Sequence, residues 1–162
     1  MKLPYATSIA GQNREKEIRT TLRGIGATAV GFMVDDERDE IIAQFRLRGR
    51  EITIPVSVAA YQDAWLHANP HTSRMRSTLA QHRAKARQQA ERATWAVLAD
   101  WIKAQAAMIV CGLLDADTAF LPHIHLPDGR TVREAITTPD SPLALPKPRA
   151  DHQGECRRAS DA

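Results

Sequence analysis

Between Pro70 and Gly112 the chain contains neither glycine nor proline. Glycine weakens a helix through backbone entropy, and proline through its missing N–H and its ring clash. Without either, and with Thr72 or Ser73 as a cap, the stretch permits one helix of about 40 residues, roughly 60 Å long. Such a rod constrains the placement of every other element in a chain of 162 residues, the size of one domain with tails.

Projected on a helix, Leu79, Ala86, Ala90, Ala93, Val97, Trp101, Ala104 and Met108 fall within one apolar stripe. Beyond Glu91 a second stripe, Trp95, Leu98, Ile102 and Ile109, lies opposite the first. The C-terminal half should therefore be buried on two sides. The first half, apolar on one side only, should project or pack on a second chain.

Basic residues flank the first stripe in two rows, Arg74, Lys85, Arg92 and Lys103 on one side and Arg76, Arg83 and Arg87 on the other. Residues 72–114 hold seven basic and two acidic side chains, against nine and nine in 1–71 and six and eight in 115–162. The formal charge of +3 thus conceals a basic middle and an acidic C-terminal part.

Upstream, Asn13 can cap a short helix carrying Ile18, Leu22 and Ile25 on one side and ended by Gly24 or Gly26. From Ala27 the period changes to two. TAVGFMV, IIAQFRLR and EITIPV, separated by the acidic turn DDERDE (35–40) and by Gly49, predict three antiparallel strands joined by hairpins. Ile41, Ala43, Phe45, Leu47, Ile52, Ile54 and Val56 share one face, while Arg46 and Arg48 lie on the other. Pro55 removes a ladder donor, so the third strand is either an edge or ends there. Residues 57–71, with Tyr61, Trp65 and the turn-like Asn69-Pro70, carry no pattern that assigns them an element.

Downstream, Pro127-Asp128-Gly129 predicts a turn between two short extended segments, and Val132–Ile136 a small helix. The remainder is rich in proline, polar residues and charge. The reading is an α+β domain over residues 1–136: short helix, three-stranded antiparallel sheet, long helix, and small C-terminal hairpin and helix. A disordered tail, 137–162, should follow.

An apolar fraction of 43% with 25% charged residues fits a globular chain. No run approaches the ~18 apolar residues of a membrane span, and residues 1–11 lack the apolar centre of a signal peptide. A cytoplasmic location, without membrane association, is the expectation. Cys111 and Cys156 make neither a disulfide framework nor a metal spacing, and Cys111 should be a small core residue.

Catalytic signatures are missing from the sequence: no Walker loop, dinucleotide fingerprint, nucleophile elbow, HExxH or paired CxxC occurs. His123 and His125 could chelate a metal from one strand face but lack a third ligand at any diagnostic spacing. The acidic run 35–40 could hold Mg²⁺ but reads more simply as a hairpin turn. No enzyme activity, metal or cofactor is expected.

The remaining chemistry is basic. Arg46, Arg48 and Arg50 on the strands, with Arg74, Arg76, Arg83, Lys85, Arg87 and Arg92 on and before the helix, are candidates for phosphate contact. The same residues would also suit a solvated helix face whose long side chains shield the apolar stripe.

The segment ERATWAVLADWIKAQAAMIVCGLLDADTAFLPHIHLPDGRTVREAI resembles a family of small uncharacterised proteins of tailed phages and prophages. The resemblance is carried by Trp95, Ile102-Lys103-Ala104, Phe120-Leu121 and His123–Val132, and upstream by RLRGREITIPV. It implies a phage origin and transfers no activity. The order helix, three strands, long helix also resembles the core of phage single-strand-annealing proteins. These readings imply a non-enzymatic nucleic-acid-binding protein, with single-stranded DNA as ligand, accessory to phage replication or recombination. The alternative is an interaction module that binds and inhibits a host factor. A homo-oligomer paired through the long helix is compatible with either.

Overall fold

A computed structural model describes residues 3–6 and 12–145. Helix α1 (Gln12–Gly24) leads into β1 (Thr28–Asp35), β2 (Glu40–Leu47) and β3 (Arg50–Ser57), followed by α2 (Val58–Ala68), α3 (Leu79–Val110), α4 (Ala116–Phe120) and α5 (Val132–Thr137). The fold class is α+β, as the periodicities imply.

The strands form one antiparallel sheet in the order β1-β2-β3. Alternation along β2 places Ile41, Ala43, Phe45 and Leu47 in the core, and Ile52 and Ile54 of β3 join them. Ile18 and Leu22 of α1, with Trp95, Leu98 and Ile102 of α3, close this face. Phe120 is fully buried beneath it, meeting Phe45 and Trp101 edge-on at centroid distances of 5.3 and 5.9 Å.

Leu47 and Arg50 close a two-residue hairpin in which Arg48 and Gly49 both have positive φ, 50° and 80°. A turn of this mirror-image kind matches the strand twist and favours Asn-Gly. Arginine at its first position carries the penalty of a β-carbon in left-handed backbone. Arg48→Asn should accordingly raise stability by about 0.5–1 kcal/mol, read as a higher midpoint in thermal unfolding.

That tight hairpin also fixes which backbone groups point where. Leu47 and Arg50 exchange the closing hydrogen bonds, so odd-numbered residues of β2 bond to β3 and even-numbered ones to β1. The nitrogen of Pro55 consequently faces away from the sheet, and the residue costs no ladder bond. Glu51 points the same way, and its carbonyl accepts from His125 N at 2.9 Å, where Ile124 bridges Ile52.

The long helix begins later than expected, at the cap Thr78 instead of Thr72 or Ser73. Thr78 Oγ1 accepts from Gln81 N at 3.2 Å and Thr78 N donates to Gln81 Oε1 at 2.9 Å, a reciprocal capping box. Residues 71–77 are instead a loop, in which His71 Nε2 donates to the Ser77 carbonyl at 2.8 Å. With 32 residues, α3 is about 48 Å long.

Its buried face changes side along its length. His82, Ala86, Ala90 and Ala93 are buried in the first half, and Trp95, Leu98, Ala99, Ile102 and Ala106 in the second, about half a turn round the axis, with Thr94 and Ala96 burying the helix on nearly all sides where the two meet. The first set packs on α2, an element the sequence pattern left unassigned, and the second on α1 and the sheet. Thus the first half of α3 is not a bare projection. It is one arm of a helical hairpin, and the part of the expected oligomer stripe at Ala86, Ala90 and Ala93 is covered by α2.

Ser57 caps α2 by accepting from Ala60 N. Trp65 and His82 then meet across the hairpin at 5.2 Å, and His82 Nε2 donates to the Asn69 carbonyl at 2.8 Å. At the C-terminal end the Pro127-Asp128-Gly129 turn and the small helix form as the sequence implies, with a bridge between His125 and Thr131. Cys111 is the exposed C-cap of α3 and not a core residue, because the helix leaves the core before it ends. The segment expected as tail is described as turns up to Leu145, whose N–H donates to the Ile136 carbonyl at 3.0 Å. Residues 146–162, including Cys156, lie outside the described residues.

Candidate nucleic-acid interface

The nine basic candidates separate into groups. Arg46, Arg48 and Arg50 sit at the β2–β3 hairpin end of the sheet. Arg87 pairs with Asp39 at the opposite, β1–β2 end. Along β2 the two ends are about seven residue steps apart, roughly 23 Å. Arg74 and Arg76 lie in the loop after α2, and Arg83 and Lys85 in the first turns of α3, beyond Arg87 and farther still from Arg48. Strand and helix cations therefore do not line one groove.

Charge pairing sharpens the division. Arg46 pairs with Glu51 at 2.8 Å and Arg50 approaches Asp117 at 3.7 Å, while Asp39 meets Arg87. The Arg46 guanidinium holds the Glu51 carboxyl below the usual carboxylate range. Among the described residues, Arg48, Arg74, Arg76, Arg83, Lys85 and Arg92 have no carboxylate within ion-pair distance. Four of these six belong to the hairpin tip. Arg92 follows Lys85 on the same flank, and Arg83 lies on the other side of the helix.

Between Asp63 and Glu91 the chain contains no acidic residue. The distal ends of α2 and α3 and the loop joining them are drawn from this stretch, so the tip is a basic surface with no carboxylate of its own. Its framework is apolar and aromatic: Trp65, His82 and His71 stack in sequence, the two histidines 5.4 Å apart. Sequence reasoning identified the basic residues but missed the tip, because the signal that α2 turns back along α3 is tertiary.

The other candidate sites have internal partners. On the outer face of the sheet a depression of about 190 Å³ is lined by Gln44, Arg46, Glu51, Thr53 and His125. Thr53 Oγ1 accepts from Gln44 Nε2 at 3.1 Å and contacts His125 Nε2 at 2.8 Å, while His125 Nδ1 donates to the Gly129 carbonyl. His123 instead stacks edge-on against Trp101 at 5.8 Å, where burial pushes its imidazole pKa down. In the acidic turn, Asp35 caps the amides of Glu37 and Arg38, both at 3.0 Å. Among the described residues no three His, Cys, Asp or Glu side chains group as metal ligands. No helix among them is long and apolar enough to cross a membrane.

Fold and surface together define an α+β domain bearing a basic helical hairpin. Comparison of the chain with protein families, curated proteins and solved structures finds no match.

Proposed function

We propose that the chain is a non-enzymatic nucleic-acid-binding protein whose contact surface is the tip of the α2–α3 hairpin. The observation that carries this reading is the acid-free stretch between Asp63 and Glu91, with Arg74, Arg76, Arg83 and Lys85 lacking carboxylate partners among the described residues. Cations already neutralised by a fixed carboxylate gain little from phosphate. Unpaired ones release counterions from the nucleic acid when they bind.

Recognition of this kind reads the phosphate backbone and not the bases. The tip exposes guanidinium and ammonium groups together with Met75 and Leu79, while the aromatic Trp65 and His82 are buried and offer no face on which a base could stack. The affinity should be independent of sequence and steeply dependent on salt. Single-stranded DNA is the ligand proposed, in an accessory role in phage replication or recombination.

Fluorescence anisotropy with labelled single-stranded and duplex oligonucleotides tests the proposal. Binding in the micromolar range at low salt is expected. The logarithmic salt slope should be about −3 for a single strand if four cations each neutralise one phosphate, and steeper for duplex. No binding at low salt, or binding indifferent to salt, would overturn the reading.

A further inference from the structure

The two flanks by which α3 leaves the hairpin tip differ in charge. On one, Arg83 is followed a turn later by Arg87 and then by Glu91, the i, i+4, i+8 spacing that keeps side chains on one face. Arg87 pairs with Asp39, so the free cations of this flank end at Arg83. On the other, Gln81, Lys85, Gln88 and Arg92 recur at steps of four, three and four residues and share a face about 16 Å long. Lys85 and Gln88 are exposed and Arg92 is half-buried. Neither cation has a carboxylate within ion-pair distance among the described residues. Between the two flanks lie His82, Ala86 and Ala90, buried against α2.

Asp39 is tied to the helices by its backbone as well as by its side chain. Its φ is 54°, and its carbonyl accepts from Val58 N at 2.7 Å and Ala59 N at 3.4 Å, joining the β1–β2 turn to the start of α2. The backbone that carries the carboxylate is thus fixed beside α3. A phosphate reaching Arg87 would have to displace that carboxylate and then meet its charge at close range. Asp36 and Glu37, exposed in the same turn, add to the repulsion.

We infer, on the reading of the tip as a phosphate-binding surface, that Asp39 closes the Arg83 and Arg87 flank to nucleic acid and directs a bound single strand from the tip along Gln81, Lys85, Gln88 and Arg92. Asp39 then determines the path of a ligand it does not touch. Lys85 and Arg92 stand about 10 Å apart along the axis, and the glutamine amides of this face donate to phosphate oxygens without adding charge. Gln81 accepts from Thr78 N through Oε1 and keeps its Nε2 donors for the ligand.

Fluorescence anisotropy of the full chain with a labelled single-stranded oligonucleotide tests the path through affinity and salt slope. Arg92→Gln should lower the affinity about fivefold at low salt and make the logarithmic slope shallower by about 0.7, the share of one phosphate contact. Arg87→Gln should change the affinity by less than about twofold, since that cation is already neutralised. Asp39→Asn keeps a residue type that tolerates left-handed backbone. It should free Arg87, raise the affinity about fivefold and steepen the slope by about 0.7, and adding Arg87→Gln should cancel the gain. Asp36→Asn is the control, because it removes the same charge from the same turn without releasing a cation, and it should leave the slope unchanged. A wild type that binds but loses as much with Arg87→Gln as with Arg92→Gln, or nothing with Arg92→Gln, overturns the inference. An Asp39→Asn slope no steeper than that of Asp36→Asn overturns it as well. A wild type that does not bind at low salt instead removes the reading of the tip, and the path with it.

Discussion

Replacing Arg74, Arg76, Arg83 and Lys85 together with glutamate should lower the affinity for a single-stranded oligonucleotide on the order of 100-fold or more at low salt. The four favourable phosphate contacts are lost and four repulsive charges take their place. Exposed positions of this kind tolerate such substitutions within about 0.5 kcal/mol each, so circular dichroism and the unfolding midpoint should change little. The comparison is Arg48→Ala with Arg50→Ala at the far end of the sheet, which should alter affinity by less than about threefold. These residues lie roughly 23 Å or more from the tip by strand geometry. Equal losses from both sets would contradict a contact confined to the tip.

Phe120→Ala should be the most damaging single core substitution, costing about 3–5 kcal/mol. Phe120 is fully buried and is the residue through which Phe45 of the sheet and Trp101 of α3 are joined. Truncation leaves a cavity between elements that cannot collapse without moving a strand against the long helix. The melting midpoint should fall on the order of 10 °C. A fall of only one or two degrees would mean that α4 is peripheral to the fold.

The three strands, their faces and the amphipathic α1 were legible because burial on one side imposes a period of two or 3.6 on the residue types. Ile41, Ala43, Phe45 and Leu47 show this most clearly. The small C-terminal hairpin was legible in Pro127-Asp128-Gly129, since turn chemistry is local. Two features were harder to read. The start of α3 depends on which of several hydroxyl residues completes a capping box, and only Thr78 has glutamine three positions later. Helix α2 is short, and its Val58 and Trp65 gain meaning only when the alanines and His82 of α3 lie opposite them.

The candidate site divides in the same way. The sequence alone determined the composition of the basic surface, because charge is a property of each residue and the lack of acid between Asp63 and Glu91 can be counted. It also determined that a long helix would carry Arg83, Lys85, Arg87 and Arg92, although Arg74 and Arg76, in the same run without glycine or proline, fall in the loop before it. Only the tertiary structure decided which of them share a surface. The return of α2 along α3 placed Arg74, Arg76, Arg83 and Lys85 around one tip, and the hairpin register sent Arg46, Arg48 and Arg50 to the other end of the sheet. Asp39, remote in sequence, reached Arg87 and neutralised it. Local pattern sets which side of an element is wet, but the proximity of two wet sides depends on contacts between residues far apart in the chain.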